Sequence, residues 1–326
     1  MKTFLSRRDF VTSLSGTTLA GTALAGTALA GAAWTGAVAL PGGAAAARDM
    51  GARLGSETLA DGVILIRGAG ANVVALRDAE GLVFIDGGLK ANGGALLSLA
   101  QRELATKKAH TLINTHWHPE QTGLNELLGK QGAKIIAHEN TRLWLSTTVR
   151  YEPDGAPIGP LPALARPNAT TYTTGELKVG DEMLRYGYLS QAHTDGDLYV
   201  KLAKANVLVT GGVVAGNGWP TMDWVTGGWI NGTVNGYRAL IGQCDDKTRV
   251  VTANGEKLFT KADLQGELDI LAKLADQLGK MMRAGYGPVD MLAANPAKDY
   301  VARLGEPTQF LTASFKSLWP RLAPDA

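Results

Sequence analysis

Cysteine is almost missing from this chain: Cys244 stands alone in 326 residues. That excludes an internal disulfide and any metal cluster built on several thiolates. Histidine is also scarce, at five residues, so a transition-metal site would need those few imidazoles, helped by carboxylates. Neither sign of charge dominates. The 32 Lys and Arg against 30 Asp and Glu leave a net +2, too little to imply nucleic acid or an anionic membrane as partner. No stretch beyond the N-terminus is rich enough in Pro, Gly or Ser to act as a linker between domains. What remains is 45% apolar, the ordinary share for a globular fold.

The N-terminus carries an address. Ser6-Arg7-Arg8-Asp9-Phe10-Val11 sets two adjacent guanidinium groups before a polar residue and an apolar pair. A weakly apolar run follows from Leu14 to Leu40, with three near-copies of Gly-Thr-x-Leu-Ala between Gly16 and Ala30. Pro41 and the small residues Ala44 to Ala47 then suit a signal peptidase. The run is long enough to span a bilayer, but its Gly and Thr content makes a poor membrane helix. We read 1–47 as a twin-arginine signal peptide and 48–326 as one domain. The expectation is a protein exported to the periplasm or beyond, off the membrane once the signal is removed. The twin-arginine route carries folded proteins, often already loaded with a cofactor.

The mature part opens with short apolar runs, Val63 to Arg67, Asn72 to Arg77 and Leu82 to Asp86, punctuated by glycines, which read as antiparallel strands. A helix fits Asn92 to Lys107. The strand Thr111 to Thr115 runs into the loop His116 to Gly123, and the strand Lys134 to His138 comes next. Arg150 to Pro167 is a proline-rich surface loop. Further strands are expected at Glu182 to Tyr188, Leu189 to His193, Leu198 to Ala203, Asn206 to Thr210 and Arg249 to Thr252. Helices fill most of Lys261 to Leu318. This order predicts an α/β protein with two sheets face to face and helices outside.

Thr115-His116-Trp117-His118-Pro119-Glu120-Gln121 is the most informative stretch. Two histidines at i and i+2 in extended chain point the same way, ready to share a cation. They follow a strand, where open α/β sheets hold ligands. A third histidine, His193, ends another strand beside Asp195 and Asp197. Asp86 ends the strand Leu82 to Ile85, where its carboxylate could orient a histidine.

These blocks, in this order, resemble the metallo-β-lactamase superfamily: the strand ending in Asp86; Asn114-Thr115-His116-Trp117-His118; Ile135 to His138; His193-Thr194-Asp195-Gly196-Asp197; Asn206 to Thr210; and Val250 to Thr252. The resemblance implies a four-layer αββα sandwich and a zinc-dependent hydrolase. It assigns His116, His118 and His193 to the first metal position. The family's second position falls on Glu120, Gln121, Gly212 and Asn254, where this sequence departs from the pattern. Gly212 has no side-chain ligand and the two amides are weak zinc ligands, so the second site is expected to be lost. The expectation is therefore one zinc per chain, whose bound water ionises near neutral pH. Glu120 and Asp195 are the candidate catalytic carboxylates, Asp86 and Asp197 stand behind the ligands, and Trp219, Trp224 and Trp229 either form a substrate rim or pack the long loop that carries them. The substrate would be a small-molecule ester, amide or lactam. A degenerate member that only binds a ligand is the alternative. An iron oxygenase, by contrast, calls for a carboxylate where Gly212 stands.

Overall fold

The computed structural model describes residues 54–151 and 156–322. The segment read as a signal peptide lies outside the described residues. Seven strands, β1 (Gly55–Ala60), β2 (Val63–Arg67), β3 (Val73–Arg77), β4 (Leu82–Ile85), β5 (Ala109–Ile113), β6 (Lys134–His138) and β7 (Ala169–Thr171), lie side by side in chain order. The first four pair antiparallel, joined by tight turns. From β4 to β7 the pairing is parallel, and the crossovers carry helices α1 (Gly93–Glu103), α2 (Pro119–Thr122), α3 (Asn125–Lys130) and α4 (Glu139–Leu145). A second sheet holds β8 (Thr174–Val179), β9 (Glu182–Leu189), β10 (Asp197–Leu202), β11 (Val207–Val209) and β12 (Arg249–Val251).

Alternation along the strands makes the layers. Val63, Leu65, Val83 and Ile85 pack against Leu184, Val200, Leu202, Val207 and Val209, filling the space between the sheets. Their neighbours Ile64, Ile66, Leu82 and Phe84 point the opposite way and cover Leu96, Leu99 and Leu128 of α1 and α3. On the second sheet Leu208 and Val250 face outward onto α5 (Ile230–Gly242), α6 (Lys261–Arg283) and the final helix. The chain is thus an αββα sandwich, as expected from the sequence.

The C-terminal helices are α6, α7 (Pro288–Ala294), α8 (Val301–Leu304) and α9 (Thr308–Leu322). Thr260 and Asp263 start α6 with a reciprocal capping box. Leu264, Leu268, Leu271, Leu274 and Leu278 then bury one stripe at helical spacing. Among the described residues no helix is long and apolar enough to cross a membrane. The sheets are joined where β5 runs out: Leu198 N, at the start of β10, donates to Thr115 O at 2.7 Å. That junction holds the site.

Candidate metal centre

His116, His118 and His193 come together from two sheets. The first two follow β5, and His118 stands extended at φ −62° and ψ 152° just before Pro119 opens α2. His193 lies on the turn between β9 and β10. All three are buried, and one ring nitrogen from each lies within 4.8 Å of the other two. The rings meet edge to face, at centroid separations of 4.6 to 4.8 Å.

The network around each ring assigns its tautomer. His193 Nδ1 lies 2.6 Å from Thr221 O; a carbonyl only accepts, so Nδ1 carries the proton and Nε2 faces inward bare. His118 Nε2 lies 2.9 Å from Asp223 Oδ2, which leaves Nδ1 turned inward. Thr115 Oγ1 gives its proton to Asp86, at 2.8 Å from Oδ2, and so accepts from His116 Nδ1 at 3.1 Å. His116 Nε2 is then a buried acceptor with no partner among the described residues. His118 Nδ1 and His193 Nε2 stand 3.0 Å apart. Two bare acceptors repel at that distance unless a proton or a cation lies between them. The donor set therefore fits a metal ion held by three imidazoles.

Charge follows the same arrangement. Burial, then the neighbouring His193 and His118, hold His116 well below its ordinary pKa. Burial and the charge of His118 bring His193 down to about 4. For His118 burial pulls downward, but the hydrogen bond and charge of Asp223 outweigh it and the net shift is up. Asp223 shifts down: burial opposes this, and the His118, Thr226 and Tyr151 contacts prevail.

Asp86 and Asp197 support the ligands through the backbone and Thr115, touching no imidazole directly. Asp86 Oδ1 accepts from Thr115 N at 2.8 Å. Asp197 Oδ2 accepts from His193 N at 2.7 Å and Thr194 N at 2.8 Å. Burial pushes both carboxyls up to about 7. Glu120 Oε1 reaches within 4.0 Å of His118 Nδ1, beside the inward nitrogen.

The other expected residues are placed differently. Asp195, anticipated as a catalytic carboxylate, is turned to the indole of Trp144, accepting from Nε1 at 2.6 Å. The three tryptophans of the expected rim pack on the C-terminal helices. Trp219 stacks on Phe310 at 4.5 Å, Lys316 lies over Trp224 at 4.7 Å, and Arg321 lies over Trp229 at 4.3 Å. Gln121 is buried, and its Oε1 has no partner among the described residues. Asn254 is held by its backbone, donating to Ala215 O and accepting from Thr252 Oγ1. His138 caps α4, its Nδ1 accepting from Asn140 N.

Sequence reasoning missed Asp223, Thr221 and Tyr151. Tyr151 OH donates to Asp223 Oδ2 at 2.8 Å, tying the proline-rich loop to the partner of His118. Asp223 is 105 positions from His118, in a loop with no repeating pattern. An apolar cavity of about 490 Å³ is lined by Trp117, Pro119, Trp144, Leu145, Ile158 and Leu161 among others.

Three imidazoles that meet at the junction of an αββα sandwich make a candidate metal site. Residues 66–264 match the model of the metallo-β-lactamase superfamily, and the chain belongs to that superfamily. Among solved structures it is similar to the metallo-β-lactamase from Pontibacter korlensis, with 19% identity and a TM-score of 0.56 over 68% of this chain and 99% of that one. The DIM-1 metallo-β-lactamase gives 17% and 0.53 over 68% and 98%. IND-7 gives 16% and 0.53 over 67% and 98%. At these identities the likeness is one of fold. No curated protein matches the chain.

Proposed function

We propose that the chain is an exported metallohydrolase that uses one zinc ion to cleave an ester, amide or lactam-type bond in a small molecule. One observation carries this reading. Each histidine has one nitrogen held by an outer partner and the other turned inward, so three lone pairs converge on one point. A cation there would supply Lewis acidity and lower the pKa of a bound water towards neutrality.

The chain's own residues do the rest. Asp223, Thr221 and Thr115 hold the three rings in the tautomers that leave those lone pairs free. With His116 and His193 shifted down, protons compete weakly for their inward nitrogens at neutral pH. Glu120, 4.0 Å from His118 Nδ1, is the carboxylate placed to take a proton from an attacking water. A neutral amide at Gln121 and a bare glycine at 212 support a single ion. The neighbouring apolar cavity of about 490 Å³ is of the size that holds a small molecule.

Metal analysis of the protein purified from its native compartment tests the reading. We expect about one zinc per chain, lost almost wholly in His116→Ala, together with hydrolysis of at least one member of an ester, amide and lactam panel. Protein without a transition metal would end the proposal. Protein that holds zinc but cleaves nothing would instead be the degenerate binder.

A further inference from the structure

Gly212 lies at the site without donating anything to it. It sits on the short turn Gly211–Val213 that follows β11, and it is buried. A Cβ built on it would press against Cδ2 of His193 and lie 2.6 Å from Nε2 and 2.8 Å from Cγ. Real side chains do not approach so closely, so one of the two residues would have to move. Neither has room. The His193 ring is held from its other nitrogen by Thr221 O at 2.6 Å. The His193 backbone is held on both sides, by Asp197 Oδ2 at 2.7 Å from its N and by Asp223 N at 2.8 Å from its O. The turn is anchored in its turn by Thr210 N on Val251 O at 3.1 Å.

We propose that Gly212 is a positioning residue for the metal: the missing side chain is the space into which the His193 imidazole fits. This rests on the reading of the three histidines as ligands. It changes the meaning of the departure at this position. The glycine is more than an absent ligand for a second ion, because a carboxylate restored at 212 would displace His193 and weaken the first ion. The site is built for one metal by shape.

A double-mutant cycle on zinc binding by the whole chain separates the possibilities. Gly212→Ala should weaken binding at least about 10-fold, the least that disturbing a ligand's support costs. If the effect runs through His193, Gly212→Ala combined with His193→Ala should bind as His193→Ala does, within about twofold. The cobalt spectrum of Gly212→Ala should also move towards that of His193→Ala. Gly212→Ala binding like the parent would overturn the proposal, as would a double variant weaker than His193→Ala by the full single-variant factor. If Gly212→Ala fails to fold while the double variant folds, the imidazole is the obstacle and the proposal stands; if both fail, the obstacle is the backbone and it falls. A parent chain that binds no metal would remove the metallohydrolase reading alone. The interlock would then be read from the His193 ring signals in the metal-free protein, which Gly212→Ala should shift and a leaving-intact control, Gly94→Ala with open space around its Cβ, should not.

Discussion

Asp86 pairs an unusual backbone with a displaced pKa. It follows β4 at φ 64°, a left-handed conformation that Asp tolerates better than most residues, and this turns its carboxylate onto Thr115. Burial raises its pKa from 3.8 to about 7. Between those values the unfolded chain holds fewer protons at this position than the native one, so Asp86's contribution to stability falls as pH rises from about 4 to about 7. His193, lowered to about 4, works in the opposite direction up to its unfolded value of about 6.5. Asp197, also raised to about 7, acts in the same direction as Asp86, so a melting curve of the metal-free protein alone blends all three. The difference between the parent and Asp86→Asn isolates the carboxyl: the parent's relative stability should decline by at most about 4 kcal/mol from pH 4 to pH 7. A difference constant across that range would mean that Asp86 ionises normally. At this scale the meeting of the three histidines was legible in sequence, because strand ends and i, i+2 spacing are local. Asp223 was not, since only folding sets it against His118.

The loop between β11 and α5 contains Thr221 and Asp223, the partners of His193 and His118. It is braced from outside by α9, through Trp219 on Phe310, Trp224 beneath Lys316 and Trp229 beneath Arg321. The final helix thus supports the centre from a distance. Phe310→Ala removes a buried ring and should cost about 3–5 kcal/mol in urea unfolding, loosening metal binding as well. A loss below about 1 kcal/mol would show that α9 does not brace the loop. Several elements matched their expected positions within a residue or two, among them β2, β3 and β6. The strands β1, β7 and β8 were missed. Most of their residues are exposed or half-buried, so they lack the apolar signal by which strands are read. The expected strands at Glu182 to Tyr188 and Leu189 to His193 proved to be β9 and the turn after it, where Gln191 takes a positive φ of 50° and breaks the extended run.

The whole molecule extends beyond its relatives. The family match ends at residue 264, near the start of α6, and the solved structures cover about two thirds of the chain. What lies beyond the family match includes α9, whose contacts reach the loop behind the histidines. The other end bears the proposed address. Replacing Arg7 and Arg8 together with Lys should leave the precursor in the cytoplasm, since lysine does not reproduce paired guanidinium groups. Efficient export of that variant, measured by fractionation, would count against the twin-arginine route. The sequence by itself determined the class of fold, the three imidazoles and the absence of a carboxylate at 212, because alternation, strand-end position and residue type are properties of a few consecutive residues. Tertiary structure alone decided that Asp195 faces Trp144, that the tryptophans pack on α9, that Asp223 holds His118 and that Gly212 makes room for His193. Those contacts join residues far apart in the chain, and their partners are selected by how two sheets and the helices around them close on one another.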